Sequence, residues 1–486
     1  MTEYSFFYII AIGLFYIGSF AAVIHILLTM RGETERAKLW LLCVLAFPVI
    51  GLLFYLSCGL NRRDTFGHRI LRLKETICNA GAMSERNRAL LPFHVKERAD
   101  TPERIMLDRQ FPTLPPLSGN GLELLRDGSG AYPAMLKAIN QAKSSIHMQS
   151  FIFSNDKVGR MLFNALARKA AEGVSVKIIY DSFGSFGAMM GHFFLRYSQK
   201  SRNMKIRAFS RTKLFMPWLN QLRNHRKLLI VDGRTAFMGG LNISADNFRF
   251  ARKKAAIHDL HCRITGPAVS ELQTVFLRDW CIAAREKPQN VFLPEYFPAP
   301  ENCGGNVLRV IPSGHGYEFQ GSEQCFLTAA AAAEDHLWIC TPYFVPDPGL
   351  LTALRLAARR GVDVRILMPK KNNHWFVKMA SRSFYMPLCQ DGVRIFERCG
   401  VFTHAKVLSA DDRWCLFGSS NCDYRSFRLN YELDLAITEG GFLADVNEQL
   451  RLEFANADEV RLEDLRHNSL WRRLAESFCA LFAPIL

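Results

Sequence analysis

His225-Arg226-Lys227-Leu228-Leu229-Ile230-Val231-Asp232 and His404-Ala405-Lys406-Val407-Leu408-Ser409-Ala410-Asp411 carry the pattern His-x-Lys-x4-Asp twice in one chain. A small-residue run that reaches Asn follows each copy: Gly239, Gly240 and Asn242, then Gly418, Ser419, Ser420 and Asn421. One copy fits chance. Two copies argue for a duplicated fold whose halves each supply half of one active site. Two imidazoles and two ammonium groups around one pocket suit a phosphodiester.

Residues two apart on a strand share a face, so a strand through each motif presents His and Lys together. The chemistry asks for a nucleophile, a proton for the leaving alkoxide and charge to hold the phosphate oxygens. One His can attack phosphorus. The other can protonate the leaving oxygen and later deprotonate an acceptor alcohol. Lys227 and Lys406 can neutralise the phosphate, and Asn242 and Asn421 can donate amide hydrogens to it. Gly239, Gly240, Gly418 and Ser419 are expected to let the backbone approach it. An acid should hold the second nitrogen of each imidazole. Asp259 in the first half and Glu432 in the second are the candidates. Asp232 and Asp411 complete the motifs and read as mainly structural, capping a turn or pairing across the halves. The scheme needs no metal and no cofactor.

The elements around the motifs repeat in the same order. In the first half, helix candidates cover 131–142 and 158–171, and strands cover 145–153, 174–180 and 204–209. The second half repeats this with helices over 323–334 and 349–360 and strands within 336–345, 362–368 and 393–397. Alternation of this kind argues for α/β layers in both halves. The stretch 111–119 (FPTLPPLSG) reads as a linker or loop. The expected division is a membrane anchor over 1–62, a linker over 63–120, a first α/β domain over 121–300 and a second over 301–486.

The formal charge of +16 favours an anionic partner, nucleic acid or acidic lipid. The N-terminus decides between them. Residues 4–29 and 39–60 are apolar runs of spanning length, joined by a short charged loop, and predict a transmembrane hairpin. A cleaved signal peptide fits poorly, since no basic residue precedes the first run and a second apolar run follows within one short loop. Arg62, Arg63, Arg69, Arg72 and Lys74 follow the second run, so the rest of the chain is expected on the cytoplasmic side. The 13 cysteines show no zinc-like spacing. Phe183 and Phe186, and Leu214, Phe215 and Trp218 in a basic insertion, are candidates for lipid contact.

These residues place the chain beside the phospholipase D superfamily, and within it the chain resembles bacterial cardiolipin synthase. The likeness includes the paired motifs, the Phe47-Pro48 and Gly51 pattern, Thr341-Pro342-Tyr343-Phe344-Val345-Pro346 and the run from Asn421 through Asp423 and Arg425 to Glu432. It implies two phospholipase D-like α/β/α domains forming a pseudo-two-fold pair behind a transmembrane hairpin. It implies phosphatidyl transfer between two phosphatidylglycerol molecules at the bacterial inner membrane, with His225 as nucleophile and His404 as acid and then base. The partners implied are anionic phospholipid and the bilayer rather than nucleic acid, and a homo-oligomer is compatible with the sequence. The residues alone do not order the two histidines. Hydrolysis to phosphatidic acid, and less readily nuclease activity, would use the same groups. Thr403 and Asn373 depart from the family's usual pattern and bear on the acceptor pocket.

Overall fold

The computed structural model describes residues 3–31, 34–59, 76–77, 81–95, 101–209, 222–247, 257–315, 317 and 320–483. Leu214, Phe215 and Trp218 lie outside them, as do Arg62, Arg63, Arg69, Arg72 and Lys74.

The first half contributes strands β1 (Leu117–Arg126), β2 (Ser145–Ser150), β3 (Ser175–Tyr180), β4 (Met204–Ala208), β5 (Arg223–Asn224), β6 (Leu228–Val231), β7 (Thr235–Gly239) and β8 (Leu260–Thr265). The second contributes β9 (Asn306–Ser313), β10 (His336–Cys340), β11 (Phe344–Val345), β12 (Asp363–Pro369), β13 (Arg394–Arg398), β14 (Val407–Ala410), β15 (Trp414–Gly418), β16 (Cys422–Asp423), β17 (Asn430–Glu439) and β18 (Ala457–Glu459). The order β1-β8-β7-β6-β2-β3-β4 is answered by β9-β17-β15-β14-β10-β12-β13. In both halves the same two junctions are parallel, β2–β3–β4 and β10–β12–β13. The halves join edge to edge through an antiparallel β1–β9 ladder, with Leu117 opposite Leu308, so one sheet runs through both.

Matching local signals build matching helices. Asp156 caps the helix Lys157–Ala171 by accepting from Gly159 N at 2.9 Å, and Asp347 caps Pro348–Arg359 by accepting from Leu350 N at 2.7 Å. Gly173 and Gly361 follow them with φ of 101° and 98°, which stops a helix and suits glycine. Separate apolar cores lie under the outer helices of each half. A third core, built on the helices Ala268–Ala284 and Gly441–Ala455, draws side chains from both halves.

Two buried charged groups, Arg226 and His258, reach from the first half into the second. Buried Arg226 forks onto Asp279, both contacts at 2.6 Å, and donates to the backbone oxygens of Ser313 and Glu432 in the other half. His258 bridges Asp127 at 2.7 Å and Glu453 at 2.8 Å. Burial opposes the charge on His258, but its two carboxylate partners outweigh it and raise its pKa to about 10.

The stretch read as a linker over 111–119 ends inside the first strand, since β1 opens at Leu117. A larger difference lies at the N-terminus. Among the described residues, one helix is long and apolar enough to cross a membrane, Glu3–Thr29. The second run, expected to span over 39–60, is broken into Thr34–Ala46 and Pro48–Phe54, each short of the ~20 residues a crossing needs. Pro48 is the cause. It disfavours the helical conformation at the residue before it, and Phe47 sits at φ −133°, ψ 74°. The chain turns back there. A Cβ on Gly51 would lie 1.9 Å from the carbonyl oxygen of Cys43, and the Trp40 and Tyr55 rings meet at 5.5 Å. Both short helices pack on the long one, Trp40 and Val44 joining Ala22 and Ile26 in one apolar cluster; Ser19 Oγ donates to Pro48 O at 2.9 Å, and His25 Nδ1 lies 2.6 Å from the Oη of Tyr55, just past the second short helix.

Candidate active site

Each motif enters the site on an extended segment just ahead of its strand, β6 or β14, rather than within it. These segments lie against the opposite half. His225 N donates to Tyr431 O at 2.9 Å, continuing a short parallel ladder between β5 and β17. His404 N donates to His258 O at 2.7 Å, and His258 N to Phe402 O at 2.9 Å. Each half thus threads its motif histidine along a strand entry of its partner.

The carboxylates follow from this exchange. His225 Nδ1 lies 2.9 and 3.0 Å from the two oxygens of Glu432. His404 Nδ1 lies 2.7 Å from Asp259 Oδ2. Each motif histidine is therefore held by an acid from the other half. A carboxylate at Nδ1 keeps the proton there and leaves the Nε2 lone pair available. Both imidazoles line one cavity of about 340 Å³, together with Asn242, Asn421, Arg223, Arg425, Tyr343 and Asn373.

Burial, reinforced by the nearby lysines, holds the His225 pKa well below its usual value. The same causes bring His404 to about 4, and Lys406 Nζ lies 2.9 Å from its Nδ1. Both shifts favour the neutral imidazole at neutral pH. Burial also lowers Lys227 to about 7 and Lys406 to about 8 against the pull of the two carboxylates. The lysines stand behind the cavity wall. Lys227 Nζ donates to the carbonyl oxygen of His225 at 2.5 Å, and Lys406 does the same to that of His404.

The small-residue runs serve the acids more directly than the cavity. A Cβ on Gly240 would lie 2.0 Å from Asp259 Oδ1, and one on Gly418 2.3 Å from Asp434 Oδ1. Gly239 has φ 148° and packs on the backbone of Leu260. Ser419 Oγ donates to Glu432 Oε2 at 2.6 Å. The expected close approach is thus made to carboxylates, while Asn242 and Asn421 face the cavity. Asp232 and Asp411 sit at the hairpin ends with φ of 53° and 54°, which Asp tolerates. Asp232 accepts from the amides of Lys143, Ser144 and Ser145 at 2.8–2.9 Å, and Asp411 from those of Glu334, Asp335 and His336 at 2.8–2.9 Å. These aspartates hold each hairpin within its own half and do not pair across the halves.

Phe183 lies at the rim, its ring 4.4 Å from the Arg223 guanidinium, and Phe186 is exposed beyond it. Asn373 lines the cavity and accepts from Tyr343 Oη at 2.9 Å. Thr403 is fully buried, its hydroxyl 3.9 Å from Cys340 Sγ. The sequence reading did not single out Arg223, Arg425 or Tyr343 as site residues. Arg223 stands two before His225, so the face-sharing rule that joined His to Lys would have reached it. Arg425 stands four after Asn421, and nothing in local spacing aims it at the cavity.

Comparison with known proteins agrees with this geometry. The family model described as "Cardiolipin synthase, PLD-like domain" matches residues 135–280 and 326–457, one stretch in each half. The chain is 34% identical over 488 residues to cardiolipin synthase A of Pseudomonas fluorescens strain SBW25, covering 97% of each chain. It is 32% identical over 456 residues to cardiolipin synthase 1 of Bacillus anthracis, covering 92% of this chain and 88% of that one. Its fold is similar to the crystal structure of a phosphatidylserine synthase from Haemophilus influenzae Rd KW20, with a TM-score of 0.62 and 16% identity over 79% of this chain and 100% of that one. The chain belongs to the cardiolipin synthase family of the phospholipase D superfamily, with one phospholipase D-like domain in each half.

Proposed function

We propose that the protein is a cardiolipin synthase, joining two phosphatidylglycerol molecules with release of glycerol. The observation that carries this reading is the pair of neutral imidazoles on one cavity, each with a carboxylate from the other half at Nδ1. In the first step His225 Nε2 attacks phosphorus. The P–O bond to the terminal glycerol breaks, and His404 gives that oxygen a proton. His404 is neutral in the empty cavity. Entry of an anionic phosphodiester raises its proton affinity and loads it for this role. In the second step the hydroxyl of another phosphatidylglycerol loses its proton to His404 and attacks the phosphohistidine. The P–N bond breaks and both imidazoles return to their starting state. Glu432 and Asp259 hold the tautomers. Arg223, Arg425, Asn242 and Asn421 bind the phosphate oxygens, and Lys227 and Lys406 add positive potential from behind. The basic segment after the apolar N-terminus supports a cytoplasmic position for the catalytic halves at the inner membrane.

Purified protein in liposomes of phosphatidylglycerol tests this by mass spectrometry. Cardiolipin and glycerol should appear in equal amounts, and His225→Ala and His404→Ala should abolish both. Phosphatidic acid as the sole product would replace transfer by hydrolysis.

A further inference from the structure

The helix Leu470–Ala480 packs on the helix Trp375–Ser383, with Glu476 and Cys479 on its buried side and Arg382 Nε donating to Glu476 at 3.0 Å. Its other side is apolar and uncovered. Leu470, Trp471, Leu474, Phe478 and Leu481 are 50–80% exposed, and Trp375 beside them is 70% exposed. The intervals from Trp471 through Leu474 and Phe478 to Leu481 put one continuous stripe along the helix. Such a stripe needs an apolar environment.

Its position says which. His374 and Val377, at the start of and within the helix Trp375–Ser383 on which the helix Leu470–Ala480 packs, line the active-site cavity. On the first-half side of the same cavity, Phe183, Phe186 and Met190 are 45–52% exposed, and Phe183 packs on the cavity-lining Arg223. Two apolar lips thus flank one mouth. Arg473 is exposed on the same helix beside Arg472, which is half-exposed and pairs with Glu476 at 3.1 Å, and anionic headgroups would meet these charges. The apolar N-terminal helix brings the chain to a bilayer.

We propose that the stripe of Leu470–Ala480, with Trp375, inserts into the interface of an anionic phospholipid bilayer and seats the active-site mouth on it. The lip shortens the path of a lipid from the membrane into the cavity. This rests on phospholipid as substrate, so the test includes a substrate that needs no bilayer.

The full-length protein is reconstituted in vesicles of phosphatidylglycerol and phosphatidylcholine, with and without acyl-chain bromination. Bromolipid should quench a tryptophan component that Trp471→Phe removes. Leu474→Ser/Phe478→Ser should lower vesicle turnover about tenfold and leave turnover of dispersed short-chain phosphatidylglycerol unchanged. Equal loss on both substrates, or quenching unaffected by Trp471→Phe, would overturn the proposal. Unchanged vesicle turnover with a dimer dissociated by Phe478→Ser would also overturn it and assign the stripe to a second copy. Absence of turnover of short-chain lipid by the unsubstituted protein would instead count against the substrate, while the quenching result would still report on insertion.

Discussion

At the residue scale the site depends on two carboxylates that orient rather than attack. Glu432→Gln and Asp259→Asn keep shape and size but no longer hold the Nδ1 proton in place. Each should lower kcat by about 10²-fold or more with the fold intact, measured as cardiolipin formed per enzyme beside a circular-dichroism melt. Gly240 gives a sharper version. An alanine Cβ there would fall 2.0 Å from Asp259 Oδ1, so Gly240→Ala should displace the acid and mimic Asp259→Asn in activity. The lysines set the alkaline limb. With Lys227 near 7 and Lys406 near 8, their charge is present below those values and lost above them. The value of kcat/KM should therefore decline as pH rises through about 7 and then about 8, and Lys406→Arg should move the second part of that decline to higher pH. The paired motifs were legible from spacing alone. The exchange of acids between halves was not, because local spacing carries no information about which half's strand entry a motif lies along.

At the element scale the repeated α/β order was readable because caps, glycine stops and strand alternation are local. β1 was harder. Its opening sequence, LSGNG, carries turn residues, and it becomes a strand through pairing with β8 and β9. The second apolar run shows the opposite failure. A hydropathy window counts apolar residues and does not see the reversal that Pro48 and Gly51 build. A single crossing by Glu3–Thr29 followed by that reversal would put the start of the chain and its catalytic halves on opposite faces, where two full crossings would put them on the same one. An epitope tag ahead of Glu3 should be accessible to antibody on intact spheroplasts, with the catalytic halves protected. Protection of both would restore two full crossings.

At the scale of the whole molecule the joint between halves is polar where it matters. Arg226 and Asp279 are fully buried, and Arg226 also holds two backbone oxygens of the other half. Removing one partner strands a charge, so Asp279→Ala should cost about 3–5 kcal/mol, read as a lower midpoint in denaturant for the detergent-solubilised protein. The crossed histidine–acid pairs have a consequence for biosynthesis. As the chain leaves the ribosome, the first half emerges with His225 but without Glu432, and with Asp259 but without His404. Neither imidazole meets its carboxylate until Glu432 and His404, both in the last third of the sequence, have been made and docked. A nascent or truncated product lying beside the bilayer would therefore lack the oriented imidazoles, and full capacity to cut lipid would arrive together with the complete pair.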